Sequence, residues 1–185
     1  MTFYHCSPVH GLKVLKPGIP ANFDKPASVY LTTLLPMALM YGIRNFEYTY
    51  GYTREGQIYY EEYFPDALSI LYKGKSASIY VCAPEAVEFT QIPNEVVTAS
   101  EVSVKEEIFI PDVYEAILEQ ERMGALIIRK YEQLNPRMLA WIRRAEKEEV
   151  LKRNLLNRDG PMAEYMKLHY PDSWADAEKE TQALC

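Results

Sequence analysis

With 185 residues, 48% hydrophobic and 25% charged, the chain carries enough apolar material for a packed core, which argues against a disordered or low-complexity segment. A formal net charge of −6 and a pI near 5.2 argue against a broad basic face for duplex nucleic acid and favour a small-molecule or protein partner. Cys6, Cys82 and Cys185 are odd in number and show no CxxC spacing, so reduced thiols are expected rather than a disulfide framework or a zinc site.

The first thirty residues lack a basic segment followed by an apolar one. No stretch reaches the roughly 18–20 apolar residues of a membrane span, since Val29 to Ile43 is interrupted by threonines and Pro36. A soluble, cytoplasmic protein is the expectation.

Residues 2–6 are β-prone, and Ser7-Pro8 stops the strand because proline cannot donate to a ladder. Gly11, Pro17 and Gly18 make residues 9–19 a turn and loop around Leu12 and Val14-Leu15, and 21–26 reads as loop. A strand at 28–32 leads into Thr32-Thr33, whose hydroxyls suit a helix cap, with Pro36 in the first turn. Leu35, Leu39 and Met40 give that helix an apolar side, and Gly42 stops it.

From Phe46 to Tyr63 the chain is aromatic, with Tyr48, Tyr50 and Tyr52 on one face before the turn signal Arg54-Glu55-Gly56, which predicts a β-hairpin. Pro65-Asp66 opens a short helix bearing Leu68, Leu71 and Tyr72, closed by Lys73-Gly74-Lys75. Residues 76–82 alternate Ala77, Ile79 and Val81 against Ser78, Tyr80 and Cys82, and 88–91, 95–98 and 102–110 continue the β pattern.

After Pro111-Asp112 the spacing of Val113, Ile117, Met123, Ile127 and Leu134 predicts one helix running to the break at Asn135-Pro136. A second runs from Met138 towards Leu156, and short helices at 162–169 and 174–181 complete the chain. The expected class is α+β: a mixed β body over 1–110 and a helical C-terminal extension over 111–185 packed on it.

Three residues on three of these strands suggest a function. His5 on the first strand, Tyr30 on a strand followed at once by a helix, and Glu95 opening a late strand resemble the His-Tyr-Glu set of ADP-ribosyltransferases of the diphtheria-toxin and poly(ADP-ribose) polymerase type. Tyr41 lies eleven residues after Tyr30, where that family carries a second stacking tyrosine, and Asn94-Glu95-Val96-Val97 is similar to its Asn-Glu-Tyr-Ile strand. Tyr4-His5-Cys6-Ser7 followed by Leu15-Lys16-Pro17 also resembles the opening of smaller bacterial members and of RNA 2′-phosphotransferases.

The resemblance covers roughly residues 1–110. It implies split sheets with short helices, NAD as substrate, and ADP-ribose passed to an unidentified acceptor, such as a protein, or to water. Glu95 would stabilise the oxocarbenium-like state and His5 would hold a ribose hydroxyl. Tyr30 and Tyr41 would clamp nicotinamide, and the backbone at Cys6 would read its amide. The sequence departs from the family where Cys6 replaces a glycine and Ala38 a serine, and the basic residues Lys13, Lys16, Lys25 and Arg44 are too scattered for an RNA phosphate site.

Plainer readings stand beside this one. Glu101 is the alternative carboxylate, and Glu88, Glu106 and Glu107 read as solvated strand residues. His5 and Cys6 are adjacent and so point to opposite faces, which weakens both a metal site with His10 and a nucleophilic pair. The tyrosine hairpin reads as packing or a protein-contact face, because Glu47, Glu55, Glu61 and Glu62 would repel phosphates. Arg143-Arg144 reads as the wet face of a helix. The alternatives in function are an inactive nucleotide-binding module on the same fold, and an interaction protein working through its hairpin and helices.

Overall fold

The computed structural model describes residues 1–18 and 26–183. The expected loop over 21–26 falls almost wholly outside these, as do Ile19, Lys25 and Cys185. The protein is mixed α+β with antiparallel sheets. It divides into two compact units, residues 1–60 with 68–127 and residues 61–67 with 128–185. The first unit thus runs past the expected limit at 110.

In the first unit, β1 (Phe3–Ser7), β2 (Val14–Leu15) and β3 (Val29–Thr32) precede α1 (Leu35–Tyr41). The hairpin strands β4 (Tyr50–Tyr52) and β5 (Ile58–Glu61) and the short α2 (Ala67–Tyr72) follow. Then come β6 (Ala77–Cys82), β7 (Glu88–Phe89), β8 (Glu95–Thr98), β9 (Val102–Ile110) and α3 (Val113–Arg122). Among the described residues, seven strands form one sheet in the order β2-β9-β6-β1-β3-β8-β7. One face buries Phe3, Leu15, Val29, Leu31, Tyr80, Cys82, Val96 and Val102 in a single cluster. The pattern expected for 76–82 had one polar face, yet Ser78 and Tyr80 are as buried as Ile79, because β6 lies inside the sheet and is covered on both sides.

On the other face α1 packs against β1 and β3. Met37, Ala38, Leu39 and Met40 are buried, and a fully buried aliphatic side chain contributes about 1.5–3 kcal/mol. The expected threonine cap is not made. Leu34 is the N-cap and has no side-chain bond. The Thr32 hydroxyl accepts from Leu34 N–H at 3.1 Å and donates to Met37 Sδ at 3.2 Å, while Thr33 turns to Asn94. Gly42 does end α1, with ordinary helical φ of −65°. Its role is space: a Cβ there would stand 2.3 Å from Cys6 Sγ.

The hairpin is present, closed by a turn in which Gly56 takes φ of +85°. The single helix expected from Val113 to Leu134 is not. Asp112 caps α3 by accepting from Tyr114 N–H, and Gly124 then adopts φ of +73°, placing Ala125 N–H on the Gln120 carbonyl at 2.9 Å. The left-handed turn stops the helix, and Ile127 and Ile128 pass into β10 (Ile127–Arg129).

In the second unit, a 3-10 turn at Tyr131–Gln133 leads to α4 (Pro136–Lys152), α5 (Pro161–His169) and α6 (Pro171–Ala183). Asn135 caps α4 by accepting from Met138 N–H, as the Asn-Pro signal implies. Glu62, 1% exposed, accepts from Lys130 Nζ at 3.2 Å and from Tyr131 N–H at 3.3 Å. Glu61 pairs with Arg129. Phe64 stacks on His169 with centroids 4.2 Å apart and meets Tyr165 and Tyr170 edge-on. No helix among the described residues is long and apolar enough to cross a membrane.

Candidate functional site

The strands bearing His5, Tyr30 and Glu95 are neighbours, in the order β1-β3-β8. Along β3 and β8, Thr32 stands opposite Glu95 and Tyr30 opposite Val97, so Tyr30, Thr32 and Glu95 share a face. Leu31 and Val96 point the other way, into the buried cluster. The seam between β1 and β3 is different: it holds one register pair, Tyr4 with Thr32. Beyond it the His5 imidazole replaces the backbone ladder, with Nδ1 3.0 Å from the Tyr30 carbonyl. A carbonyl only accepts, so Nδ1 carries the hydrogen and Nε2 of the neutral ring is left as an acceptor.

Alternation puts His5 on the Phe3 side of β1, the side of the buried cluster. There it lines a cavity of about 520 Å³ with Leu12, Leu15, Lys16, Ser28 and Val29. Burial lowers the His5 pKa, opposed by the bond to Tyr30. The sequence groups His5 with Glu95, but the structure does not bring them to one face. The side chain after each residue of a strand is turned to the opposite side, and Tyr4, not His5, is the β1 residue aligned with Thr32 and Glu95. Cys6 is on the Glu95 side of β1 and fills the space against Gly42. Burial pushes its thiol up to about 12, so it is an inert packing group.

Glu95 is 7% exposed. The Thr90 hydroxyl donates to its Oε1 at 2.9 Å. Its charge reaches Tyr41 from the end of α1 and Tyr50 and Tyr52 from β4. Tyr41 and Tyr50 meet hydroxyl to hydroxyl at 3.0 Å, and the Tyr50 and Tyr52 rings lie edge to face. All three phenols are held above the ordinary tyrosine value, chiefly by burial, and the negative charge of Glu95 adds to the rise in each. The phenols therefore stay protonated and neutral beside the carboxylate. Tyr48 packs on Tyr41 at 4.7 Å.

The loop before Glu95 is fastened from both sides. Tyr52 donates to the Pro93 carbonyl at 2.7 Å, Thr33 N–H to the Asn94 carbonyl at 3.1 Å, and Asn94 takes φ of +64°. Glu101, the alternative carboxylate, is exposed and pairs with Lys16 at 3.7 Å. Tyr50, Tyr52 and Thr90 were not singled out from sequence as site residues. The period-two tyrosines were the available signal for the first two, whereas nothing local marks Thr90. Among the described residues no group of three or more histidine, cysteine, aspartate or glutamate side chains could hold a metal ion.

Compared with protein-family models, with curated proteins and with solved structures, the chain matches none.

Proposed function

We propose that the chain binds NAD and, as an ADP-ribosyltransferase-like protein, passes ADP-ribose to an acceptor or to water. The observation that carries this is the buried Glu95 carboxylate on a strand beside that of Tyr30, following a loop that Tyr52 fastens at Pro93, with Tyr52, Tyr50 and Tyr41 joined in one aromatic group. In the reaction, the bond from nicotinamide nitrogen to ribose C1′ breaks and its electron pair leaves with nicotinamide. A lone pair of the acceptor then forms the new bond to C1′, and the acceptor's proton passes to solvent or to a carboxylate. Glu95 stabilises the positive charge that develops at the sugar, and the tyrosine faces hold the flat leaving group.

A second reading, a binding module without turnover, is favoured by the placement of His5 and Glu95 on opposite faces. Nicotinamide release from NAD by the purified chain, beside Glu95→Gln and His5→Ala, tests both. Release that depends on Glu95 supports the transferase reading. Binding without release favours the module, and no binding overturns both.

A further inference from the structure

We infer that Thr90 is a positioning residue that holds the Glu95 carboxylate in its working orientation; this rests on the transferase reading above. The Thr90 hydroxyl donates to Glu95 Oε1 at 2.9 Å and accepts from Ile92 N–H at 3.1 Å. The same pair is tied through the backbone, Thr90 N–H donating to the Glu95 carbonyl at 3.3 Å. One hydroxyl thus shapes the turn between β7 and β8 and fixes the rotamer of the acidic side chain at the turn's end.

The other contacts of this loop show why a dedicated tether is needed. Tyr52 and Thr33 fasten the backbone at Pro93 and Asn94, but neither bond reaches the carboxylate. The Thr32 hydroxyl, directly across the ladder from Glu95, is spent on Leu34 and Met37. Thr90 is the side chain whose hydrogen bond to the Glu95 carboxylate is seen among the described residues. A carboxylate that must meet a charge developing at a fixed point gains from a locked rotamer, because misplacement by an ångström weakens transition-state stabilisation far more than ground-state binding.

The test is steady-state nicotinamide release by the full chain, with Thr90→Val and Thr90→Ser, both checked for fold by circular dichroism. Valine keeps the shape and removes the hydroxyl; serine restores it. Thr90→Val is expected to lower kcat by about tenfold to a hundredfold, the loss from one hydrogen bond to a charged group, with KM for NAD unchanged and Thr90→Ser near wild type. A rise in KM alone, or a serine variant as impaired as valine, overturns the inference by reducing Thr90 to a loop-shaping residue. Turnover that valine leaves intact overturns this inference alone. A wild-type chain without turnover overturns the transferase reading and this inference with it.

Discussion

The hydroxyls of Tyr41 and Tyr50 meet at 3.0 Å, one from the end of a helix and the other from a hairpin strand, and both phenols feel the charge of Glu95. Glu95→Gln keeps the shape and removes that charge. It should cut nicotinamide release on the order of a hundredfold or more while leaving NAD affinity within a few-fold, since the charge acts mainly on the transition state.

His5 should be neutral at pH 7. Its pKa is lowered from 6.5 by burial, so the unfolded chain binds a proton that the folded chain refuses as pH falls below that value. Stability from the neutral ring is present above 6.5 and is lost as pH drops towards the lower folded value. An imidazole titration by NMR should place His5 below 6.5, and His5→Asn should flatten this part of the stability profile.

Gly42→Ala should destabilise the first unit by about 1–3 kcal/mol, the range for overpacking a filled core, because the new Cβ would collide with Cys6 Sγ. Cys6→Ala in the same chain should recover part of the loss, the Leu39 carbonyl at 3.2 Å setting the remainder. Urea denaturation of the two single variants and the double variant measures the coupling.

Glu107 gives an acid-stability prediction. Its Oε1 accepts from Gly11 N–H at 2.8 Å and from the Ser78 hydroxyl at 2.7 Å, and these bonds hold its pKa below 4.5. Ser78 donates to Glu107, so His10 Nδ1, 2.8 Å from Ser78 Oγ, must be the donor in that contact. The stabilisation is present above pH 4.5 and is lost as pH falls through the depressed folded value. Glu107→Gln should remove this acid limb, read by thermal melting between pH 3 and pH 6.

In the second unit, Lys130→Met should cost about 1–3 kcal/mol in chemical denaturation, since it strips a positive partner from the buried Glu62. Replacing Glu62 and Lys130 together with apolar residues should cost less than the single change.

The strands were legible because their patterns are local: Phe3-Tyr4-His5-Cys6 before Ser7-Pro8, and tyrosines at period two before Arg54-Glu55-Gly56. The α3 region was misread because Met123, Ile127 and Leu134 keep helical spacing by chance. A single glycine in a left-handed turn outweighs that spacing, since it redirects the backbone whatever follows. Glu95, Tyr30 and Tyr41 could be named from sequence, but not the face each occupies. That depends on the one register pair between β1 and β3, and no single strand encodes its partner's register. Thr90 acquires its meaning only when the loop folds back on Glu95.

Both outer strands of the large sheet, β2 and β7, are two residues long, whereas β6 and β9 inside it have six and nine. At the β7 rim an intruding chain finds only a two-residue stub of free backbone, too short to nucleate a cross-molecule ladder, whereas β2 pairs β9 only at Val102 and Ser103. The charged Glu88 beside the exposed Phe89 discourages stacking there as well. The short β7 protects its rim against strand-to-strand aggregation, and lengthening β7 with β-branched residues would remove that protection.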